Sequence, residues 1–171
     1  MQPLFRMIAT VAGVGLLRPA PGTWGSLIAL PLAFVLHWVG QLSFGGFSFL
    51  VLATGLFFAM GLIAIRGLDG PADVPDRPEY VVDEVVGQWI ALWPVSLGAV
   101  MTGSHVIALW PGWIAAFVLF RLFDIWKPSI IGRADRRGDA MGVMLDDVLA
   151  GVFAAIGVIL LAVAAHVPVL L

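Results

Sequence analysis

Long apolar runs, separated by polar links, dominate the pattern of this sequence. The runs cover approximately 26–40, 46–65, 85–102, 105–123 and 148–168. A helix needs about 20 residues to cross a bilayer, with a lower limit of about 17, so the first run is marginal or re-entrant. A strand would leave its backbone groups unpaired in lipid. The pattern therefore predicts an all-α, polytopic membrane helical bundle with four to five membrane helices.

The charged residues lie between these runs in a one-sided way. Two links, at 41–45 and 103–104, carry no charge, whereas the links at 66–84 and 124–147 carry most of it. If the runs cross the membrane in order, all 9 Lys and Arg residues and all 11 Asp and Glu residues lie at one face. Because Lys and Arg favour the cytoplasmic side, the sequence predicts a polar site at the cytoplasmic face.

Composition supports a membrane protein and excludes several functions. Hydrophobic residues make up 61% of the chain and charged residues 12%, with a mean hydropathy of +1.03, whereas a soluble domain carries about 25% charged residues. The net charge of -2 and the lack of a basic run argue against nucleic-acid binding. The absence of cysteine excludes disulfides, thiolate metal sites and cysteine nucleophiles. Residues 1–171 show no internal repeat or linker, so we expect one membrane-embedded domain.

A shorter apolar stretch, Met7–Leu17, follows Arg6 near the start of the chain. It has the layout of a secretory signal, but no small-x-small cleavage pattern follows it. It is also too short to span a bilayer. We therefore expect an interfacial or buried helix here.

Carboxylates mark the ends of the apolar runs on the charged side. Asp83 and Glu84 open the third run, Asp146 and Asp147 open the fifth, and Asp124 closes the fourth. The helix dipole favours acidic residues at a helix start, which would explain either pair alone as a cap. Gathered at one face, however, these carboxylates repel one another unless a cation neutralises them. The pattern favours a carboxylate-lined site over capping alone.

The cation predicted for such a site is hard, because oxygen ligands without Cys or nearby His suit Mg²⁺ or Mn²⁺. Arg121 and Lys127 are candidates to bind a phosphate group, and snorkelling at the interface is the alternative role. Arg121, Asp124 and Lys127 are spaced by three, so on a helix they share one face. Gly87 and Gly151 lie one turn inside the two acidic pairs, where they let neighbouring helices approach closely.

The segment PAPGTWGS at 19–26 precedes the first apolar run. One interpretation is a turn followed by an N-cap at Thr23 or Ser26. The other is a phosphate-contacting loop of hydroxyl and backbone N–H groups at a helix start. The residues alone leave both interpretations open.

Four motifs together resemble the phosphatidylglycerophosphatase A family, in the family's order and over nearly the whole chain. They are PGTWGS at 21–26, VVDE at 81–84 with Gly87, the stretch from FR at 120–121 to KP at 127–128, and GVMLDD at 142–147 with AG at 150–151. The resemblance implies an all-helical, Mg²⁺-dependent enzyme of the bacterial cytoplasmic (inner) membrane. Its expected reaction is hydrolysis of the phosphate monoester of the phospholipid phosphatidylglycerophosphate to phosphatidylglycerol and phosphate.

The resemblance also implies roles for individual residues. The implied metal ligands are Asp76, Asp83, Glu84, Asp146 and Asp147. The implied catalytic residues are Asp124 and Asp135, and the residues implied to bind the substrate phosphate are Thr23, Ser26, Arg121 and Lys127. The nucleophile is either water activated by the metal or a carboxylate, and Asp124 is either the base or a further ligand.

The chain departs from the family pattern at two places. Ser129 stands where a second proline is common, and Asp139-Ala140 stands where a Gly-Gly pair is common, which affects the shape of the loop before the last motif. An Mg²⁺-dependent lipid head-group transferase is an alternative function, although its Asp-x-x-Asp-Gly pattern is missing. An ion carrier is disfavoured, because no charged residue lies in the middle of an apolar run.

Overall fold

The computed structural model describes residues 1–72, 74–75 and 77–166. Within these residues the chain forms helices and connecting turns, with one isolated antiparallel bridge between Ala72 and Asp139. The α-helices are α1 (Gln2–Ala9), α2 (Pro21–Gln41), α3 (Gly46–Asp69), α4 (Val82–Thr102), α5 (Trp110–Trp126), α6 (Ile130–Asp135) and α7 (Ala140–His166). Short 3₁₀ helices cover Val14–Leu16 and Val106–Leu109.

Five helical stretches are long and apolar enough to cross a membrane. They are Pro21–Gln41, Gly46–Asp69, Val82–Thr102, Val106–Trp126 and Ala140–Ala165. At 1.5 Å per residue, the 21-residue stretches reach the roughly 30 Å of a hydrocarbon core. The predicted all-α bundle is confirmed, with five candidate spans. The first run is not marginal in length, because its helix already begins at Pro21.

Helix α4 forms the centre of the bundle and packs against α2, α3, α5 and α7. Its Trp89 is 1% exposed, donates its indole N–H to the Ala29 carbonyl at 2.9 Å and contacts the ring of Phe57. Outer faces of α3, α5 and α7 instead expose apolar side chains such as Leu56, Val118 and Leu160. Apolar residues on both sides of these helices are expected where the surroundings are lipid rather than water.

The helices alternate in direction, which brings the charged links together at one end of the bundle. α2, α4 and α7 begin at this end, and α3 and α5 finish there. Contacts between links confirm the arrangement, since the Val74 N–H donates to the Gly138 carbonyl and Lys127 bonds Asp146. At the opposite end, buried His37 bonds Ser96. The predicted one-sided distribution of charge is confirmed for the described residues.

The segment Met7–Leu17 does not form the single helix that we predicted. α1 ends at Ala9, and left-handed backbone at Val11 and Ala12 turns the chain before the first 3₁₀ helix. The Ala9 carbonyl accepts a hydrogen bond from the Val81 N–H. This segment is therefore hydrogen-bonded to Val81, the residue immediately before α4 and its acidic pair.

Candidate active site

A cavity of about 300 Å³ lies at the charged end of the bundle. The ends of α4, α5 and α7 form its floor, and the links between helices form its rim. Its polar and charged lining residues are Arg77, Tyr80, Asp83, Glu84, Asp124, Lys127, Asp135, Asp146 and Asp147. The structure thus brings both acidic pairs, Asp124, Asp135 and Lys127 into one place, as the sequence predicted.

Three carboxylates form the core of this cavity. Asp83, Glu84 and Asp147 each offer an oxygen within 4.8 Å of the others. Asp83 and Asp147 are buried, and Oε2 of Glu84 is buried without a hydrogen-bond partner among the described residues. Carboxylates this close repel one another strongly, and an unpaired buried oxygen is costly. The oxygen-only donor set and the orphaned atom fit a divalent cation such as Mg²⁺.

The start of α2 lies directly against this cluster. A Cβ on Gly22 would stand 2.2 Å from Oε1 of Glu84 and 3.2 Å from a guanidinium nitrogen of Arg121. A Cβ at this position would displace the Glu84 carboxylate, so the glycine lets that side chain lie against the first turn of α2. This contact was not predicted, because a glycine in the PGTWGS motif gives no sign of which side chain it faces.

The structure corrects the predicted local conformation of the two hydroxyl residues in PGTWGS. The N-cap of α2 is Ala20, so the predicted cap at Thr23 or Ser26 is wrong, and both residues lie within the helix rather than in a loop. Ser26 is fully buried and donates to the Gly22 carbonyl at 2.9 Å. Neither hydroxyl residue lines the cavity.

Arg121 and Asp124 share a helix face, as their spacing predicted. They form an ion pair of 2.6 Å, and Nη1 of Arg121 lies 3.4 Å from the Ser26 hydroxyl. Nε of Arg121 is buried and has no hydrogen-bond partner in the part of the chain that the structure describes. Asp124 is close enough to Glu84 and Asp147 for their charges to interact. The pair therefore links the start of α2 to the carboxylate cluster.

Lys127 does not continue that helix face, which corrects the prediction from spacing. α5 ends at Trp126, and Lys127 is its C-cap in the left-handed conformation, with φ of 48°. Its ammonium group turns toward α6 and α7, where it donates to Asp135 and, at 2.7 Å, to Asp146. Although burial lowers the pKa of Lys127, the hydrogen bonds to the two carboxylates outweigh it and raise that pKa, so the ammonium stays charged.

Asp146 differs from its neighbour Asp147 in its surroundings. Oδ2 of Asp146 accepts a hydrogen bond from Lys127, whereas Oδ1 is buried and finds no partner within residues 1–72, 74–75 and 77–166. Asp146 is not part of the three-carboxylate cluster but lies beside it in the cavity lining. The remaining predicted ligand, Asp76, lies outside the described residues.

A second polar group, at the rim of the cavity, was not predicted from the sequence. Arg77 donates through Nε and Nη2 to the carboxylate of Asp69, and the Tyr80 hydroxyl donates to the same carboxylate at 2.5 Å. Burial and this hydrogen bond raise the pKa of Tyr80, so its hydroxyl remains a donor at neutral pH. No periodicity links these residues, because they lie at a helix end and in an irregular link.

Asp139, where the family pattern favours glycine, has a clear structural role. Its carboxylate accepts a hydrogen bond from the Gly142 N–H at 2.7 Å, which makes it the N-cap of α7. Neither Asp139 nor Ala140 adopts left-handed backbone, whereas Gly138 does, with φ of 69°. The departure therefore leaves the start of α7 intact.

A family model and several known proteins are similar to this chain. A family model described as Phosphatidylglycerophosphatase A matches residues 7–162. A Haemophilus influenzae protein named phosphatidylglycerophosphatase A is 37% identical over 151 residues, which cover 88% of this chain and 83% of that protein. An Escherichia coli protein of the same name is 34% identical over 157 residues, covering 91% of this chain and 81% of that protein.

A third relative carries a different name. This Bacteroides thetaiotaomicron protein, named "Putative phosphatidylinositol-3-phosphatase", is 37% identical over 152 residues, which cover 88% of each chain. No solved structure matches the chain. The family match includes the starts of α2, α4 and α7 and the end of α5, which meet at the cavity. The chain therefore belongs to the phosphatidylglycerophosphatase A family of phosphatases.

Proposed function

We propose that this protein hydrolyses the phosphate monoester of phosphatidylglycerophosphate, giving phosphatidylglycerol and phosphate, in an Mg²⁺-dependent reaction at the cytoplasmic face of a bacterial inner membrane. The observation that carries the proposal is the cluster of Asp83, Glu84 and Asp147, whose oxygens lie within 4.8 Å of one another on a cavity of about 300 Å³. Family membership supports the reaction, and five apolar helices support a lipid substrate.

Asp83, Glu84 and Asp147 would hold the metal, with Asp146 beside them and Asp76 as a further ligand. The unpaired buried oxygens of Glu84 and Asp146 support this assignment. Mg²⁺ bound there supplies positive charge for the phosphoryl oxygens and lowers the pKa of a water molecule. This charge also offsets the repulsion among the carboxylates.

The cationic side chains bind and orient the phosphate. Lys127 acts as a point charge on the cavity wall. Arg121 pairs with Asp124 and contributes its Nε–H, for which the described residues offer no partner. Ser26 acts on the phosphate through its contact with Arg121, and Thr23 lies on the same first turns of α2. Phosphoryl transfer is catalysed mainly by positioning the reactants and by stabilising the negative charge that spreads over the transferred phosphoryl group.

Proton transfer falls to two cavity aspartates. Asp124, held by Arg121, accepts the proton of the attacking water as the phosphorus–oxygen ester bond breaks. Asp135 is more exposed, with 44% of its side chain accessible against 13% for Asp124. From the cavity rim Asp135 exchanges protons between the leaving oxygen and bulk water.

The test is phosphate release from phosphatidylglycerophosphate by detergent-purified protein, with and without Mg²⁺. Asp147→Asn is expected to abolish release while the protein stays folded. Glu79→Gln is the matched control, because Glu79 is an acidic residue outside the cavity lining and should leave the rate unchanged. Phosphatidylinositol 3-phosphate is assayed in parallel. Release from that lipid alone, or equal activity in Asp147→Asn, would overturn the proposal.

The proposed orientation has its own test, which the lack of cysteine makes simple. Arg136→Cys places a single thiol at an exposed position on the charged end. In intact cells a membrane-impermeant maleimide should leave it unlabelled, and labelling should appear after the membrane is opened. Labelling in intact cells would place the cavity on the opposite face.

A further inference from the structure

We propose that Arg77 forms a second anion-binding subsite in the cavity, which takes the phosphodiester of the phospholipid while its phosphate monoester lies at the carboxylate cluster. This inference rests on the proposed function and deepens it. It assigns a binding role to a residue that the sequence motifs leave out.

The guanidinium group of Arg77 is fixed before any ligand arrives. Nε lies 3.1 Å from each oxygen of Asp69, and Nη2 lies 2.7 Å from Oδ1. The Tyr80 hydroxyl holds the same carboxylate, and the Tyr80 ring lies under the guanidinium at 5.9 Å. Asp69 is only 6% exposed, so it is a rigid anchor. A group held in this way loses little conformational entropy when it binds a ligand.

Arg77 keeps donors available on its accessible side. A guanidinium has five N–H groups, and the contacts with Asp69 use only those of Nε and one on Nη2. Within the described residues, the structure gives no partner to Nη1. The side chain is 41% exposed and lines the cavity. A planar fork of free N–H groups is well suited to bind a phosphate oxygen pair.

The charge balance of the cavity explains why a second cationic subsite is needed. The described lining holds six carboxylates, on Asp83, Glu84, Asp124, Asp135, Asp146 and Asp147, and two cations, on Arg77 and Lys127. Lys127 already donates to two of these carboxylates. A phospholipid monoester brings a second negative phosphate into this field. Arg77 is also paired, with Asp69, but among the described lining cations it is the one with an N–H edge, at Nη1 and the second N–H of Nη2, for which no partner is described, and this edge can receive the phosphodiester.

The test uses mixed micelles of detergent and phosphatidylglycerophosphate. Arg77→Gln should raise KM about tenfold, as expected for loss of a charge-assisted hydrogen bond, with kcat within about twofold. Arg77→Lys keeps the charge without the fork and should fall between this variant and the wild type. Arg137→Gln is the matched control, because Arg137 pairs with Asp139 in the same manner but does not line the cavity.

Inhibition by the two reaction products, phosphatidylglycerol and inorganic phosphate, distinguishes the Arg77 subsite from the site of the phosphate monoester. Phosphatidylglycerol carries only the phosphodiester, so its inhibition should weaken about tenfold in Arg77→Gln. Inorganic phosphate should inhibit that variant and the wild type equally. Asp69→Asn removes the ion pair but keeps the guanidinium, and should raise KM less than Arg77→Gln does.

Several outcomes would overturn the subsite. They are an unchanged KM in Arg77→Gln, an equal effect of Arg137→Gln or Asp69→Asn, or equal weakening of both inhibitors. Each would assign Arg77 a purely structural role in the link before α4. If the wild type releases no phosphate from any phospholipid monoester, the proposed function fails and the subsite fails with it. Release by the wild type with an unaffected Arg77→Gln variant overturns the subsite alone.

Discussion

The backbone of α7 at Gly151 lies directly against the backbone of α4 at Gly87. A Cβ on Gly151 would stand 2.4 Å from the Gly87 carbonyl oxygen, and a Cβ on Gly87 would stand 2.6 Å from the carbonyl oxygen of Asp147. These glycines lie one turn inside the two acidic pairs, as predicted. Their close approach brings the carboxylates of Glu84 and Asp147 into one cluster.

We expect Gly151→Ala to separate α4 from α7, because the added methyl group meets backbone atoms that cannot turn aside. Overpacking of this kind costs about 1–3 kcal/mol. Thermal unfolding in detergent should therefore shift to lower temperature, and phosphate release should fall. Gly55→Ala is the control, since its Cβ would meet nothing within 4 Å. Equal unfolding temperatures for the two variants would contradict this account of the contact.

Mg²⁺ should stabilise the wild-type protein against heat, because a cation offsets the repulsion among Asp83, Glu84 and Asp147. A ligand present at a hundredfold excess over its Kd adds about 2.7 kcal/mol. Asp147→Asn removes one proposed ligand and one repelling charge. We expect this variant to unfold at a higher temperature than the wild type without Mg²⁺, and to gain little when Mg²⁺ is added. A full Mg²⁺ shift in the variant would exclude Asp147 as a ligand.

Arg121→Gln should reduce kcat/KM by about a hundredfold, because it removes a partly buried charge that holds Asp124 and that we propose to bind phosphate. The Mg²⁺-induced shift in unfolding temperature should persist, since the three clustered carboxylates remain. Arg133→Gln, an exposed change at the same end of the bundle, should retain wild-type kinetics. Loss of the Mg²⁺ shift in Arg121→Gln would mean that Arg121 organises the metal site rather than the substrate.

Asp139 gives the protein a stability contribution that depends on pH. Its hydrogen bond with Arg137, together with the N-cap bond to Gly142, lowers the pKa of Asp139 in the folded state. The contribution is therefore complete above the unfolded pKa of about 4, and is lost as the pH falls through the lower folded value. Asp139→Asn can still cap α7 but carries no charge.

The difference in unfolding temperature between the wild type and Asp139→Asn should accordingly be present at pH 7 and shrink below about pH 4. Measuring both proteins in the same detergent cancels the titration of the other carboxylates. A difference that stays constant over this range would show that the charge of Asp139 contributes nothing to stability.

The hydrophobic pattern predicted the membrane helices well but placed several of their starts too late. The last helix begins at Ala140 rather than near 148, because Asp139 caps it and the acidic pair lies within it. The first begins at Pro21, since proline is tolerated in a first turn. In both cases polar or turn-forming residues at a helix start resemble a link, and hydropathy alone does not separate the two.

Side-chain pairing was predictable only where it depends on one regular helix. The pair of Arg121 with Asp124 follows from a spacing of three, but Lys127 lies past the helix end, where the left-handed backbone redirects its side chain. The group of Asp69, Arg77 and Tyr80 depends on the path of an irregular link. No periodicity in the sequence specifies such a path.

By itself, the sequence determined four to five apolar membrane helices, the gathering of charge at one end and the acidic pairs with their glycines, because these depend on hydropathy, helical period and residue size. Only the tertiary structure decided which oxygens meet. In the structure, Asp147 clusters with Asp83 and Glu84, whereas Asp146 accepts a hydrogen bond from Lys127. Arg77 lies at the cavity rim. The reason is that the distances between helices depend on backbone contacts between residues far apart in the chain, such as the contact of Gly87 with Gly151.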